Sequence, residues 1–380
     1  MRTAVRSSIS DIGSEAWSNL QTHGNPFVQF EFLDALERTD CVSTAAGWHP
    51  CHVICEANDG TLLGVMPTYL KTNSYGEFVF DFAWAGAYQQ AGLPYYPKLV
   101  SAVPFTPATG PRMLLSAEAS TGEVSAALLG SALQLVEKAG ASSLHMLFPD
   151  EASRASLQKE GFLLRKDCQF HWHNRGYTNF DDFLDTFSAS KRKKTRRERR
   201  RVREASITFR VLSGKEIQPA DWDAIMPLYE STFLRRGRQP YLNKAFFLDI
   251  TKSSPQSVVV FAGYCDKELV GVAICFRSET TLYGRYWGAS RYVDSLHFEA
   301  CYYQGIDYCI EHGLDAFEPG TQGEHKIARG FVPIETWSAH WLSHPQFAAA
   351  IDDYLSQERK HVERYIEVLG EHIPYKNDPL

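Results

Sequence analysis

Apolar and polar positions alternate with two periods along this chain, and they do so in the same order in both halves. Helical spacing runs through 26–39. Strand-like runs at 49–57 and 61–72 flank Asn58-Asp59-Gly60, a turn triplet that predicts a hairpin. An aromatic, proline-rich stretch comes next (80–111), then a helix over 123–139, a strand over 142–148, a short helix over 151–162 and a closing strand over 168–177. The second half predicts helices over 221–237 and 241–253. A three-strand meander (257–266, 268–278, 281–290), a helix over 296–313 ended by Gly313, a strand over 314–320 and a long helix over 347–369 complete it. The repeated order predicts an α/β (α+β) fold class. It implies two tandem domains, 1–178 and 179–380, each a mixed, largely antiparallel sheet flanked by helices.

Composition narrows this picture little. The chain has 380 residues, 44% hydrophobic and 22% charged, so it is long enough for two cores and neither half reads as disordered. The net charge of −6 excludes a generally polyanion-binding surface, and any nucleic-acid contact must come from a local patch. The N-terminus lacks the apolar segment of a secretory signal, and no apolar run is long enough for a transmembrane helix. With eight scattered cysteines and no Cys-x-x-Cys pair, these features predict a cytoplasmic protein with reduced thiols.

One local patch stands out. Residues 191–204 hold ten Lys/Arg and two Glu, uninterrupted by Pro or Gly. Like charges four apart weaken an isolated helix, so such a helix needs a docking surface or an anionic ligand. Two readings stay open: a solvated inter-domain helix, or a face for phosphate-rich partners such as tRNA, a nucleotide-linked precursor or anionic lipid. Ser190, Lys194, Arg197 and Arg201, followed by the strand-like 206–212, are similar to the segment that opens the second domain of Fem-type aminoacyltransferases.

The loop after the 314–320 strand, Glu318-Pro319-Gly320-Thr321-Gln322-Gly323-Glu324-His325-Lys326, concentrates chemistry. Acyl transfer to an amine needs a group that takes the amine proton and donors around the developing oxyanion. Glu318, Glu324 and His325 can serve as acid or base, while Lys326 and Arg329 supply positive charge. Gly320 and Gly323 let backbone N–H groups converge on a ligand. The alternative is a polar surface loop that starts a helix. His297, Cys301, Gln304 and Tyr308 fall on one face of an ideal helix, and Glu299 lies beside them. Arg285, Trp287 and Gly288 lie in a strand pattern that only partly matches an acyl-CoA pyrophosphate loop. His171 and His173 share a strand face without further ligands nearby, so no metal is expected. In 93–112, Lys98 and Arg112 could face substrate phosphates or belong to a structural loop.

The segments at 25–37, 283–289, 296–314, 317–331 and 338–341 resemble the FemAB-like branch of the GNAT (acyl-CoA N-acyltransferase fold) superfamily, the bacterial peptidoglycan biosynthesis/recognition type. The resemblance spans nearly the whole chain. It implies an N-acyltransferase or aminoacyltransferase, with acyl-CoA or aminoacyl-tRNA as donor substrate and no tightly bound cofactor. The acceptor it implies is a small-molecule or peptide amine of a cell-wall precursor, with tRNA and peripheral membrane contact as further partners. The competing reading is a non-catalytic protein that binds an anionic precursor or RNA. On the first reading His325, Glu324, Lys326, Glu318, His297 and Glu299 are the catalytic candidates. Arg285, Trp287, Gly320, Gly323, Arg329, Arg197 and Arg201 are then the candidates for substrate binding.

Overall fold

The turn at Asn58-Asp59-Gly60 pairs the two strands that flank it, His52–Glu56 and Leu62–Met66, antiparallel. The computed structural model describes residues 1–321 and 323–376; Gln322 of the candidate loop lies outside them. The chain divides into two units, Met1–Asp167 with Glu335–Glu363, and Cys168–Ile334 with the residues from Arg364 onward. A single cut between 178 and 179 does not coincide with this division. The chain instead changes unit inside the strands Leu163–His173 and Val332–Leu342 and again within the long helix Pro345–Gly370.

Both units repeat one core arrangement. In the first, Tyr69–Lys71 pairs antiparallel with Lys98–Ser101. The helix Thr121–Ala139 then carries the chain to Ser143–Leu147, which runs parallel to Lys98–Ser101. Residues 338–342 close the far side, antiparallel to 143–147. A separate antiparallel sheet, ordered Arg2–Arg6, His52–Glu56, Leu62–Met66, Leu114–Leu115, carries the expected hairpin. In the second unit Ile207–Ser213, Val258–Cys265, Glu268–Arg277 and Thr281–Ala289 form the antiparallel meander. A helical crossover leads to Ala316–Glu318, parallel to Thr281–Ala289, and residues 172–173 pair antiparallel on its other side. Sheets that are mainly antiparallel and flanked by helices are the α/β class the periodicity predicts.

Three departures have local causes. The uncharged stretch 82–97 hides a helix, Phe82–Gln90, which has no side-chain cap. The strand Lys98–Ser101 is buried throughout, so it shows no alternation. Helix 296–313 is broken in character: Leu296–Phe298 is α, Glu299–Tyr303 is π and Gln304–Glu311 is α. The extra residue in the π turn rotates the residues C-terminal to it, so His297, Cys301, Gln304 and Tyr308 do not form one stripe.

Lys98 and Arg112 both face inward. The Lys98 ammonium donates to Glu77 at 2.7 Å, to Ser74 Oγ at 2.9 Å and to Asp81. Arg112 donates to the carbonyls of Leu147, Pro111 and Ala108. Neither is presented to a substrate phosphate. No helix among the described residues is long and apolar enough to cross a membrane.

Candidate active site

The site forms where the strand Ala316–Glu318 ends. Its parallel partner runs on to Ala289, so Tyr283 stands opposite Glu318; a register shift between the pairs Cys275↔Gly284 and Ile274↔Tyr286 makes Arg285 the extra residue of a bulge, and Trp287 follows on the face of Leu282 and Gly284. The helix Pro219–Leu234 lies against the end of that partner strand. A Cβ on Gly288 would sit 2.0 Å from the Leu228 carbonyl oxygen, so only glycine permits the approach. Thr232 Oγ1 donates to the Trp287 carbonyl at 2.6 Å and Arg235 to that of Ala289 at 3.0 Å. This helix therefore packs against the backbone at 287–289 and takes the carbonyls of Trp287 and Ala289.

After Glu318 the chain passes through Gly320 and Gly323, both with positive φ, into the 3-10 helix Glu324–Arg329. Lys326, 1% exposed, donates to the Gly320 carbonyl at 2.5 Å and ties the loop back on itself. His325 is exposed, with Nε2 2.7 Å from the buried Tyr302 hydroxyl. His297 lies between, its ring 5.4 Å from those of Trp287 and Tyr302 and 6.1 Å from that of His325. Phe298 completes this wall, 5.7 Å from His325. A Cβ at 323 would lie 2.3 Å from Cε1 and 2.8 Å from Nδ1 of His325, so the ring packs against position 323 and only glycine permits the approach.

Desolvation sets the protonation states. Burial, then the charges of His325, Arg329 and Lys326, pull His297 down to about 4. Burial, with Arg329 and Lys326, holds His325 below the ordinary imidazole value. Both rings are neutral at pH 7. Burial pulls Lys326 down to about 7 and pushes Glu318 up to about 8, the latter against the opposing pull of Arg285.

The antiparallel register of residues 172–173 with 316–317, continued one step, sets His171 opposite Glu318. Their side chains are 4.0 Å apart. Burial, then His173 and Lys326, pull His171 down to about 3, so this is a contact of a neutral ring and not an ion pair. Sequence alone suggests His171 only as a metal ligand. The signal for its place beside Glu318 is the strand register, which a sequence shows only once the partner strand is known. Among the described residues no group of three or more His, Cys, Asp or Glu could hold a metal ion.

The remaining candidates are placed elsewhere. Glu299 is buried and accepts from Arg199 at 3.0 and 3.2 Å and from Gln304 at 2.7 Å, so it is bound to the basic helix. Glu324 is exposed and accepts from Tyr365 at 2.7 Å. Arg329, 3% exposed, lies over Phe298 and is paired with Glu198. The basic segment is the helix Ala189–Glu204, with Thr195, Glu198 and Val202 turned inward. Arg192, Arg196, Arg199, Arg200 and Arg201 pair with carboxylates, Arg201 with Asp294 at 2.6 Å. Arg197 makes no such pair among the described residues, nor do its exposed neighbours Lys193 and Lys194.

The FemAB-like profile, described as peptidoglycan biosynthesis/recognition, matches residues 8–377. The chain belongs to the FemAB-like family. Among solved structures it is similar to FemX, at 12% identity over 93% of this chain and 100% of that one, with a TM-score of 0.54. It is also similar to the C-terminal DUF2156 domain of an Agrobacterium fabrum protein assigned as a lysylphosphatidylglycerol synthetase. That match has 11% identity, covers 91% of this chain and 96% of the other, and has a TM-score of 0.54. L-PGS from Bacillus licheniformis matches at 12% identity over 84% of this chain and 95% of that one, TM-score 0.50. At such identities these likenesses establish the fold alone. No curated protein matches the sequence.

In this FemAB-like chain Glu318 makes a pH-dependent contribution with a definite sign. Its folded-state pKa is raised, so the folded protein holds a proton that the unfolded chain releases. Stability therefore falls as pH rises from about 4.5 to about 8 and is level above. The side chain is 17% exposed, so the effect is discounted to at most about 4 kcal/mol. Glu318→Gln removes this term. Urea unfolding at pH 5 and pH 8 is expected to show the variant gaining on the wild type at the higher pH. An equal gap at both would place Glu318 in contact with solvent.

Proposed function

We propose that this protein transfers an aminoacyl or acyl group to an amine, with His325 as the base and an amine of a cell-wall precursor as acceptor. The observation that carries the reading is the His325–Tyr302 pair: a neutral imidazole on an exposed residue, with Nε2 held at 2.7 Å by a buried phenol. With Nε2–H donating to the Tyr302 oxygen, Nδ1 keeps the lone pair that takes the amine proton. The attacking nitrogen forms the new amide, the donor's ester or thioester bond breaks, and the leaving oxygen or sulfur departs as it takes up the proton held by the His325 imidazolium. Lys326, when ionised, and backbone N–H groups of Gly320 and Gly323 offset the oxyanion charge. Membership of the FemAB-like family, and a fold shared with FemX and with L-PGS, support transfer of this kind.

An aminoacyl-tRNA donor is favoured over acyl-CoA. A helix packs tightly over Gly288 on the strand end at 287–289, whereas Lys193, Lys194 and Arg197 present an exposed cationic face in the same unit. The test is to offer the protein an aminoacyl-tRNA pool or acyl-CoA, each with cell-wall precursor amines, and to read acceptor mass. Aminoacylated acceptor is the expected product. Folded protein that discharges neither donor would overturn the reading in favour of a non-catalytic binder.

Replacing Lys193, Lys194 and Arg197 together by Gln is expected to weaken binding of a tRNA probe. It should also reduce the slope of log affinity against log salt by about one per phosphate-contacting cation lost. Filter binding at several salt concentrations measures both. An unchanged slope would make this face a solvated surface.

A further inference from the structure

The sequence sets two glutamates in a run of ten cations, and the fold buries one of them. Glu198 accepts from Arg329 through both oxygens, at 2.8 Å from Nη2 and 3.2 Å from Nε, and from the Tyr303 hydroxyl at 2.5 Å. The two side chains of the ion pair are 7% and 3% exposed. The third guanidinium nitrogen of Arg329, Nη1, donates to the His325 carbonyl at 2.5 Å, and the guanidinium carbon lies 3.3 Å from the centre of the Phe298 ring. Phe298 in turn packs on His325 and on Tyr302. A continuous path thus runs from the inner side of the basic helix to the backbone and the ring environment of His325. A bidentate pair fixes a guanidinium in plane and in distance, which a lysine or a single hydrogen bond does not.

We propose that Glu198 is a positioning residue for His325: through Arg329 it fixes the loop, so the helix that carries the exposed cationic face also aims the imidazole. This deepens the transferase reading and rests on it, because His325 is the base there. The geometry has a direct electrostatic consequence. Around His325 stand Lys326, Arg329 and Glu324 on its own 3-10 helix, His297 and Tyr302 on the crossover helix, and Glu198 on the basic helix. Glu324 is held by Tyr365. Glu198 is the carboxylate that neutralises Arg329, the cation bonded to the His325 backbone. Removing its charge leaves Arg329 uncompensated beside the ring and disfavours the imidazolium.

The experiment needs no substrate. The full chain is labelled with 15N-histidine, the His325 ring signals are assigned with His325→Asn, and the ring is titrated by NMR. Glu198→Gln is expected to lower the His325 midpoint by about half a pH unit or more. Glu198→Asp keeps the charge but cannot hold the bidentate geometry at the same reach, and is expected to alter the tautomer-sensitive ring shifts. Arg329→Met is expected to raise the midpoint and to abolish the response to Glu198→Gln, the non-additivity that marks a pair acting as one unit. A merely structural Glu198 would move unfolding midpoints and leave the His325 signals unchanged. An unchanged His325 in whichever Glu198 variant folds overturns the proposal. Failure of the transfer assay would leave this readout intact, so the two readings fall separately.

Discussion

His325→Ala is expected to lower the transfer rate by about two to four orders of magnitude, the usual contribution of a positioned base. The expectation rests on chemistry that no other exposed group of the loop duplicates. Glu324 is turned to Tyr365, and Lys326 is buried with its ammonium on the Gly320 carbonyl. The loss should appear in kcat with little change in KM, because the imidazole acts on a proton that moves only in the transition state. Tyr302→Phe removes the partner of Nε2 and leaves the ring in place, so a smaller loss is expected, about tenfold. The acid limb of the rate profile carries a further signature. The base must be neutral, and burial holds His325 below the ordinary imidazole value, so activity should persist as pH falls past about 6.5. The checks are rates of acceptor modification across pH for folded wild type and variants. Full activity in His325→Ala would move the base elsewhere, and Glu318, opposite His171, would be the next residue to test.

Lys98→Met is expected to destabilise the first unit by about 3–5 kcal/mol at pH 7.5, the cost of leaving buried charge without its partner. Lys98 is fully buried and bridges Glu77 and Asp81, both also buried. Tyr95 donates to Asp81 at 2.6 Å, and beyond it stand His145 and His340, both held neutral chiefly by burial. Burial works against the Asp81 charge, yet the charge and hydrogen bond of Lys98, with the Ser74 hydroxyl, outweigh it and hold Asp81 down to about 2. Burial pushes Glu77 up to about 7 despite the same lysine. Without the ammonium both carboxyls must protonate or remain as unpaired anions. Protonation is easier at low pH, so the penalty should shrink as pH falls from 7.5 to 5. Urea unfolding at the two pH values measures it. A penalty that is small and independent of pH would mean that solvent reaches the cluster.

Elements with strong local periodicity were legible in the sequence alone. The hairpin at 52–66, the meander 258–289, the helix 121–139 and the basic helix 189–204 each arise from spacing and turn residues close in the chain. Their order was enough for the fold class, and the words at 296–314 and 317–331 carried the family resemblance. The loop 318–326 was legible for the same reason, since its glycines and ionisable residues are neighbours in sequence.

Which of those residues meet depends on the folded arrangement. Glu299 and His297 are two residues apart, yet one carboxylate goes to Arg199 and the other side chain to the aromatic wall. Residues two apart on a helix face different neighbours. The π turn at 299–303 and the opposition of His171 to Glu318 depend on approach between distant segments. Protonation obeys the same rule. His325 and His297 share an intrinsic chemistry, but burial among particular charges, including an arginine paired with a glutamate 131 residues away, sets what each can do. Periodicity records how one segment presents its faces; desolvation and long-range pairing are properties of what those faces meet.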